Sequence, residues 1–234
     1  MKPRIKRPSE VKKNILPIVG RIKTGIKGEK YPKSIDYFIA TGNYQKYFHH
    51  FYGEKPNKIQ VVFLSDDPAD GCFERYEYRD ENGDIYAKGD GETFQVWNGK
   101  KYVETTIKQK PNFMNDCENH CKSKRGWETI LTLRFLLPKV NGILGLWEYT
   151  TRAEQSSIPN ITGTFDTFLE QKGFIRGIVF DLTVQFAKSQ KPNNASRYPV
   201  VNLIPNMTKD NIESLKDAMI NLQNQIPEKS NNKN

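Results

Sequence analysis

Two Asn-Gly dipeptides, Asn82-Gly83 and Asn98-Gly99, constrain the fold of this chain more than any other feature. Asn and Gly both tolerate the positive φ of a type I′ turn, so this pair between apolar runs is the strongest short-range signal for a β-hairpin. The first pair lies between the aromatic runs 73–78 and 85–87, the second between 93–97 and 102–105. Residues 72–106 therefore read as an antiparallel meander. Further strands are expected at 16–24, 34–41, 58–64, 129–137, 143–151 and 198–204. Ile178, Phe180, Leu182, Val184 and Phe186 form the cleanest period-two stripe in the chain.

Helical signals are sparser. Residues 43–52 read as a short aromatic helix running into a turn at Gly53. Ser157 reads as an N-cap opening a helix that buries Phe165, Phe168 and Leu169, with Gly173 ending it at C′. Thr208 caps a last helix with an apolar stripe of Ile212, Leu215, Met219, Leu222 and Ile226, stopped by Pro227. The fold class is α+β, mainly antiparallel β: a partly open, OB-like barrel with one inserted helix and a C-terminal helix. The expected organisation is a disordered basic arm at 1–14, a single β-rich domain at 15–206, the C-terminal helix at 207–227 and a polar tail at 228–234.

Charge is distributed unevenly. Of 36 basic and 27 acidic residues, the first 33 positions hold eleven and two, so the remainder is formally neutral. A basic segment on a balanced body suits a polyanion, because each Lys or Arg that neutralises a phosphate releases a condensed counterion. No run approaches the roughly 18 apolar residues of a membrane span, and the N-terminus lacks the apolar stretch of a signal peptide. Three cysteines are too few for a disulfide scaffold, so the expected location is a reducing cytoplasm.

Three constellations carry chemistry. Cys117, His120 and Cys121 in a loop-like stretch, with Cys72 as a fourth donor, have the composition of a structural zinc site; the alternative is unliganded thiols. Asp84, Asp90 and Glu92 place carboxylates among glycines, where a metal-dependent hydrolase would need them, although such residues are also common in turns. The standard enzyme signatures are absent. The third is basic residues interleaved with aromatics. Candidates for phosphate contact are Arg4, Lys6, Arg7, Lys12, Lys13, Arg21, Lys23, Lys27, Lys30, Lys33, Arg75 and Lys88. Tyr76, Tyr78, Tyr86 and Trp97 are candidates for base stacking, with Phe94 and Tyr102 among the neighbouring rings. Tyr76, Tyr78 and Tyr86 are expected to be exposed, because they flank a solvent-facing turn. Alternate rings in a strand otherwise belong to its core.

Several segments taken in order resemble a phage family. They are Gly20-Arg21-Ile22-Lys23-Thr24-Gly25, the run from Tyr31 to Phe38, the run from Tyr52 to Ile59, Gly89-Asp90-Gly91-Glu92, and the strands 127–138 and 145–151. They are similar to the recombination-directionality-factor-like family, with motifs G-R-I-[RK]-x-G, P-x-x-[IL]-D-x-F, Y-G-x-[KR]-P and G-D-G-E. The resemblance spans about residues 18–205. It implies relatives that bind a phage serine integrase and switch it from integration to excision, and others that accompany phage DNA replication. Some relatives carry a hydrolase or metal-binding label, and many have more cysteines around the segment of Cys117 and Cys121.

The combined expectation is a non-enzymatic phage DNA-metabolism protein of replication or recombination that binds nucleic acid, single-stranded DNA foremost. The alternative is a recombination directionality factor acting by protein contact with a serine integrase, with Ile212, Leu215, Met219 and Leu222 as the partner-binding stripe.

Overall fold

The computed structural model describes residues 16–29, 33–189 and 196–206, and within them eleven strands and four helices. The strands are β1 (Ile18–Ile26), β2 (Lys33–Thr41), β3 (Lys58–Val62), β4 (Cys72–Arg79), β5 (Ile85–Gly89), β6 (Thr93–Trp97), β7 (Tyr102–Thr106), β8 (Trp127–Phe135), β9 (Leu146–Thr151), β10 (Val179–Lys188) and β11 (Arg197–Pro205). The helices are α1 (Gln45–Tyr52), α2 (Pro68–Gly71), α3 (Phe113–His120) and α4 (Ser157–Lys172). The class is α+β with mainly antiparallel pairing. The larger sheet is open, with the order β2-β1-β9-β8-β4-β5-β6-β7, and a second sheet runs β11-β10-β3. Within the larger sheet, β1 lies parallel to β9 with Ile22 beside Tyr149, while the other neighbouring strands are antiparallel.

The apolar stripe of β10 explains the main core. Ile178, Phe180, Leu182 and Val184 are buried, and Phe180 meets Phe63 and Phe168 at ring distances of 5.8 and 5.2 Å. Phe165 of α4 closes on Phe63 at 5.1 Å. From the larger sheet, Ile22, Phe38, Leu131, Leu133, Phe135, Trp147 and Tyr149 join the same cluster. Gly20 is required here because a Cβ at that position would enter the Trp147 ring, with the Cε3 carbon only 2.7 Å away. Gly173 ends α4 in the left-handed region, φ +77°, as its position predicts. Ser157 is not the cap. It lies inside the helix, 1% exposed, and its hydroxyl accepts the Val201 N–H at 3.0 Å, tying α4 to β11.

A smaller, separate core fills the meander: Tyr78, Ala87, Phe94, Phe113 and Cys117, with Trp127 against Tyr78 and Phe94. Strand pairing continues unbroken through both cores. Both hairpins form, but neither places Asn-Gly at the two central positions. In the first, the Gly83 N–H reaches the Asp80 carbonyl, and the Asp80 carboxylate accepts N–H bonds from Asn82 and Asp84. That Asx arrangement makes Glu81-Asn82 the central pair and leaves Gly83, φ +92°, to follow it. In the second, Gly99-Lys100 is central and Asn98 caps it, accepting from Lys100 and Lys101.

Two helices were not expected. The stretch around Cys117 is α3 rather than a loop, because Phe113 and Cys117, four residues apart, both dip into the smaller core. The short α2 is capped by Asp67, whose carboxylate accepts the Ala69 N–H. The expected arm at 1–14, the C-terminal helix and the polar tail lie outside the described residues.

Candidate functional site

One face of the larger sheet packs on the main core, and the opposite face carries charge. Strand pairing sets Arg21 beside Glu148, Glu148 beside Arg134, Arg75 beside Ile130, and Glu77 between Glu128 and Lys88. Three Arg–Glu–Arg groups result. Glu148 holds Arg21 and Arg134 at 3.4 and 3.3 Å, and Glu128 holds Arg125 and Arg152 at 3.2 and 3.6 Å. Glu77, 1% exposed, accepts from Arg75 at 2.7 Å and from Arg79 at 2.6 Å, one guanidinium on each oxygen. Burial pushes the Glu77 carboxyl up, but the hydrogen bonds and charges of Arg75 and Arg79 outweigh it and hold the group below its ordinary range.

Beyond Lys88 the same sheet carries aromatic rings. Trp97 and Tyr102 face each other across β6 and β7 at 5.3 Å, each about 40% exposed. Lys88 lies 5.0 Å over the Tyr102 ring, and the Tyr102 hydroxyl donates to the Ile85 carbonyl at 2.7 Å. Tyr102 is therefore held in place, with Trp97 packed against it. Two open grooves flank it. One, of about 850 Å³, runs between the β6–β7 hairpin and α3 and includes Tyr86, Trp97, Lys110, Asp116 and His120. The other, of about 540 Å³, includes Arg79, Asp80, Asp84, Tyr86 and Tyr102.

The residues expected to bind nucleic acid fare differently. Tyr78 is buried under α3, 2% exposed, with its hydroxyl on the Cys121 carbonyl, so it offers no free ring face. Tyr76 is exposed, and Tyr86 is half-buried against Tyr78 and His120. Arg21 and Arg75 are tied to glutamates, while Lys23, Lys27 and Lys33 remain exposed around the β1–β2 hairpin. Arg4, Lys6, Arg7, Lys12, Lys13 and Lys30 lie outside the described residues, as do Ile212, Leu215, Met219 and Leu222. Sequence reasoning missed Arg79, Arg125, Arg134 and Arg152. The alternation Arg75, Glu77, Arg79 within β4 was the one local signal, since period two puts all three on one face.

The four zinc donors are not brought together. Cys72 belongs to the main core and Cys117 to the smaller one, and His120 is exposed. Among the described residues no three His, Cys, Asp or Glu side chains group as a metal site. Burial, with repulsion from Asp166 and Glu74, pushes the Cys72 thiol up to about 12, and burial with Asp116 and Cys121 lifts Cys117 to about 11. Since the thiolate is the nucleophile, maleimide at pH 8 is expected to modify the half-buried Cys121 first and Cys72 only under denaturant, as read by peptide mass spectrometry. Equal labelling of Cys72 in the folded protein would refute this placement.

The carboxylates fare similarly. Asp90 accepts the Thr93 N–H at 2.8 Å and the Glu92 N–H at 2.9 Å, bonds that hold it below its ordinary range. Gly91 follows at φ +103°, against the Tyr76 ring. The Gly89-Asp90-Gly91-Glu92 motif is thus a self-capped turn.

The site thus joins an open sheet, an exposed aromatic pair and charge-paired arginines. A family model matches over residues 19–206, and the chain belongs to the Gp3-like, recombination directionality factor-like family. The family's description points to a phage recombination-related function. No curated protein and no solved structure matches it. No helix among the described residues is long and apolar enough to cross a membrane.

Proposed function

We propose that this protein is a recombination directionality factor that acts by direct contact with a phage serine integrase, using the exposed Trp97–Tyr102 pair and the groove beside α3. The fixed, half-exposed aromatic pair carries this reading, because Trp, Tyr and Arg dominate the energetics of protein interfaces. The charge around the rings favours a protein over a nucleic acid. The two grooves set Asp80, Asp84 and Asp116 against Arg79 and Lys110, so a phosphate backbone would meet three carboxylates there.

The test is excisive recombination by the phage's integrase, together with capture of that integrase. Trp97→Ala is expected to weaken capture roughly thirtyfold, the scale of an interface hot spot, and to lower excision with no change in melting temperature. Full activity of that variant would refute the assignment of the surface.

A second reading, single-stranded DNA binding, rests on the exposed Lys23, Lys27 and Lys33 around the β1–β2 hairpin. Fluorescence anisotropy with labelled single-stranded and duplex DNA at two salt concentrations separates the two readings. Steep salt dependence with single-strand preference, and no integrase capture, would decide for DNA.

A further inference from the structure

The three Arg–Glu–Arg groups are not equivalent. In the outer two, Arg21 and Arg125 are about two-thirds exposed, with side-chain accessibilities of 68% and 67%. In the central one both arginines are mostly covered, at 31% and 29%, and their glutamate is sealed beneath them. This group borders a pocket of about 290 Å³ formed by Arg75, Glu77, Arg79, Ile130, Thr150, Thr151 and Arg152. Around it stand three guanidinium groups and a single carboxylate. Each oxygen of that carboxylate is already engaged by an arginine of β4.

Glu77 therefore acts as a positioning residue. Both guanidinium groups are anchored from one side, so they need little further ordering to receive a ligand from the other. The Arg79 Nε is buried and has no hydrogen-bond partner among the described residues, although its Nη1 donates to the Gly83 carbonyl. A buried donor left without an acceptor is unusual in a folded protein. Arg152 closes the rim at 40% exposure, and its link to Glu128 is long, 3.6 Å. Thr150 adds an exposed hydroxyl, and buried Ile130 lowers the local dielectric.

We propose that this pocket binds one phosphate group, held by Arg75, Arg79 and Arg152 with the Thr150 hydroxyl as a further donor. Arg75 and Arg79 together exceed Glu77 by one positive charge, Arg152 adds a guanidinium held only loosely by Glu128, and planar guanidinium groups match phosphate oxygens in pairs. The group comes either from a free phosphate monoester or from a nucleic-acid backbone. The proposal does not rest on the integrase reading.

Calorimetric titration of the full chain tests it with three probes: inorganic phosphate, thymidine 5′-monophosphate and a short unphosphorylated thymidine oligonucleotide. Arg152→Gln and Thr150→Val probe the pocket, and both sit on the exposed rim, where folding is expected to survive. Arg21→Gln is the control, because Arg21 pairs with Glu148 and lies outside the pocket. Arg152→Gln is expected to weaken binding about tenfold or more, the scale of one charge-assisted hydrogen bond, with a smaller loss for Thr150→Val. Binding of the two monoanionic or dianionic small probes identifies a free-phosphate site, and binding of the oligonucleotide alone identifies a backbone contact; either supports the pocket. Binding that falls equally in Arg21→Gln, or no binding of any probe, overturns it. Integrase capture by Arg152→Gln is read separately, so failure of one reading leaves the other standing.

Discussion

Glu77→Gln is expected to destabilise the protein by about 3 kcal/mol at neutral pH, because it leaves Arg75 and Arg79 facing each other without a counter-charge. Few single changes on the charged face should cost as much. The outer glutamates, Glu128 and Glu148, each hold at least one arginine that is well exposed, and such pairs contribute little. The pH dependence gives a sharper check. The folded Glu77 carboxyl sits below its ordinary value of 4.5, so its contribution is present above that value and is lost as the pH falls through the lower folded one. Thermal unfolding from pH 7 to pH 3 should therefore show the gap between wild type and Glu77→Gln narrowing on the acid side. A gap of constant size would mean that Glu77 is not held as a carboxylate.

Gly89→Ala is expected to cost about 3 kcal/mol and to open the meander while sparing the main core. A Cβ at Gly89 would run into the Thr93 carbonyl oxygen and come within 2.8 Å of the Phe94 Cα. Both obstacles are backbone, so β6 itself must move. That displaces Phe94, which is completely buried and meets Phe113 at 5.0 Å and Trp127 at 5.4 Å. Hydrogen exchange should then show amides of β5, β6, β7 and α3 losing protection while β10 and β11 keep theirs. Uniform loss across both cores would show that the two unfold as one unit.

What the sequence made legible was local. Period-two stripes placed β10 and most of the larger sheet, the Asn-Gly pairs located both hairpins, and Gly173 marked the end of α4. Their geometry was less accessible. Asp80 and Asn98 are each one position from where a simple Asn-Gly turn would use its cap, and their side chains shift the central pair by one residue. Helix α3 escaped because eight residues with two buried positions give a 3.6-residue period almost nothing to act on. Tyr78 follows from the same weak signal: it flanks a turn that looks solvent-facing, and only α3 covers it. Tyr76, two residues earlier on the same face, lies beyond the helix and stays exposed. The charged face was the least legible part. Arg21, Arg75, Arg134 and Arg152 come from four strands or strand ends, and only long-range pairing brings them onto one surface. The zinc expectation rested on donor composition, with Cys72 distant in sequence as the fourth donor, whereas Cys72 and Cys117 serve different cores.

The parallel pairing of β1 with β9 sets a timetable for the nascent chain. Ile22 lies beside Tyr149, so one flank of the first strand has no neighbour until more than a hundred further residues have left the ribosome. At about 5–20 residues per second that interval is roughly 6 to 25 seconds. The β4–β7 hairpins and α3 need only nearby residues and can form within it, because local contacts close fastest. Meanwhile β1 exposes an unpaired edge of the kind that recruits other chains. Chaperone demand during synthesis should therefore concentrate on the first strand of the protein, and slowing translation before β9 should lower the soluble yield.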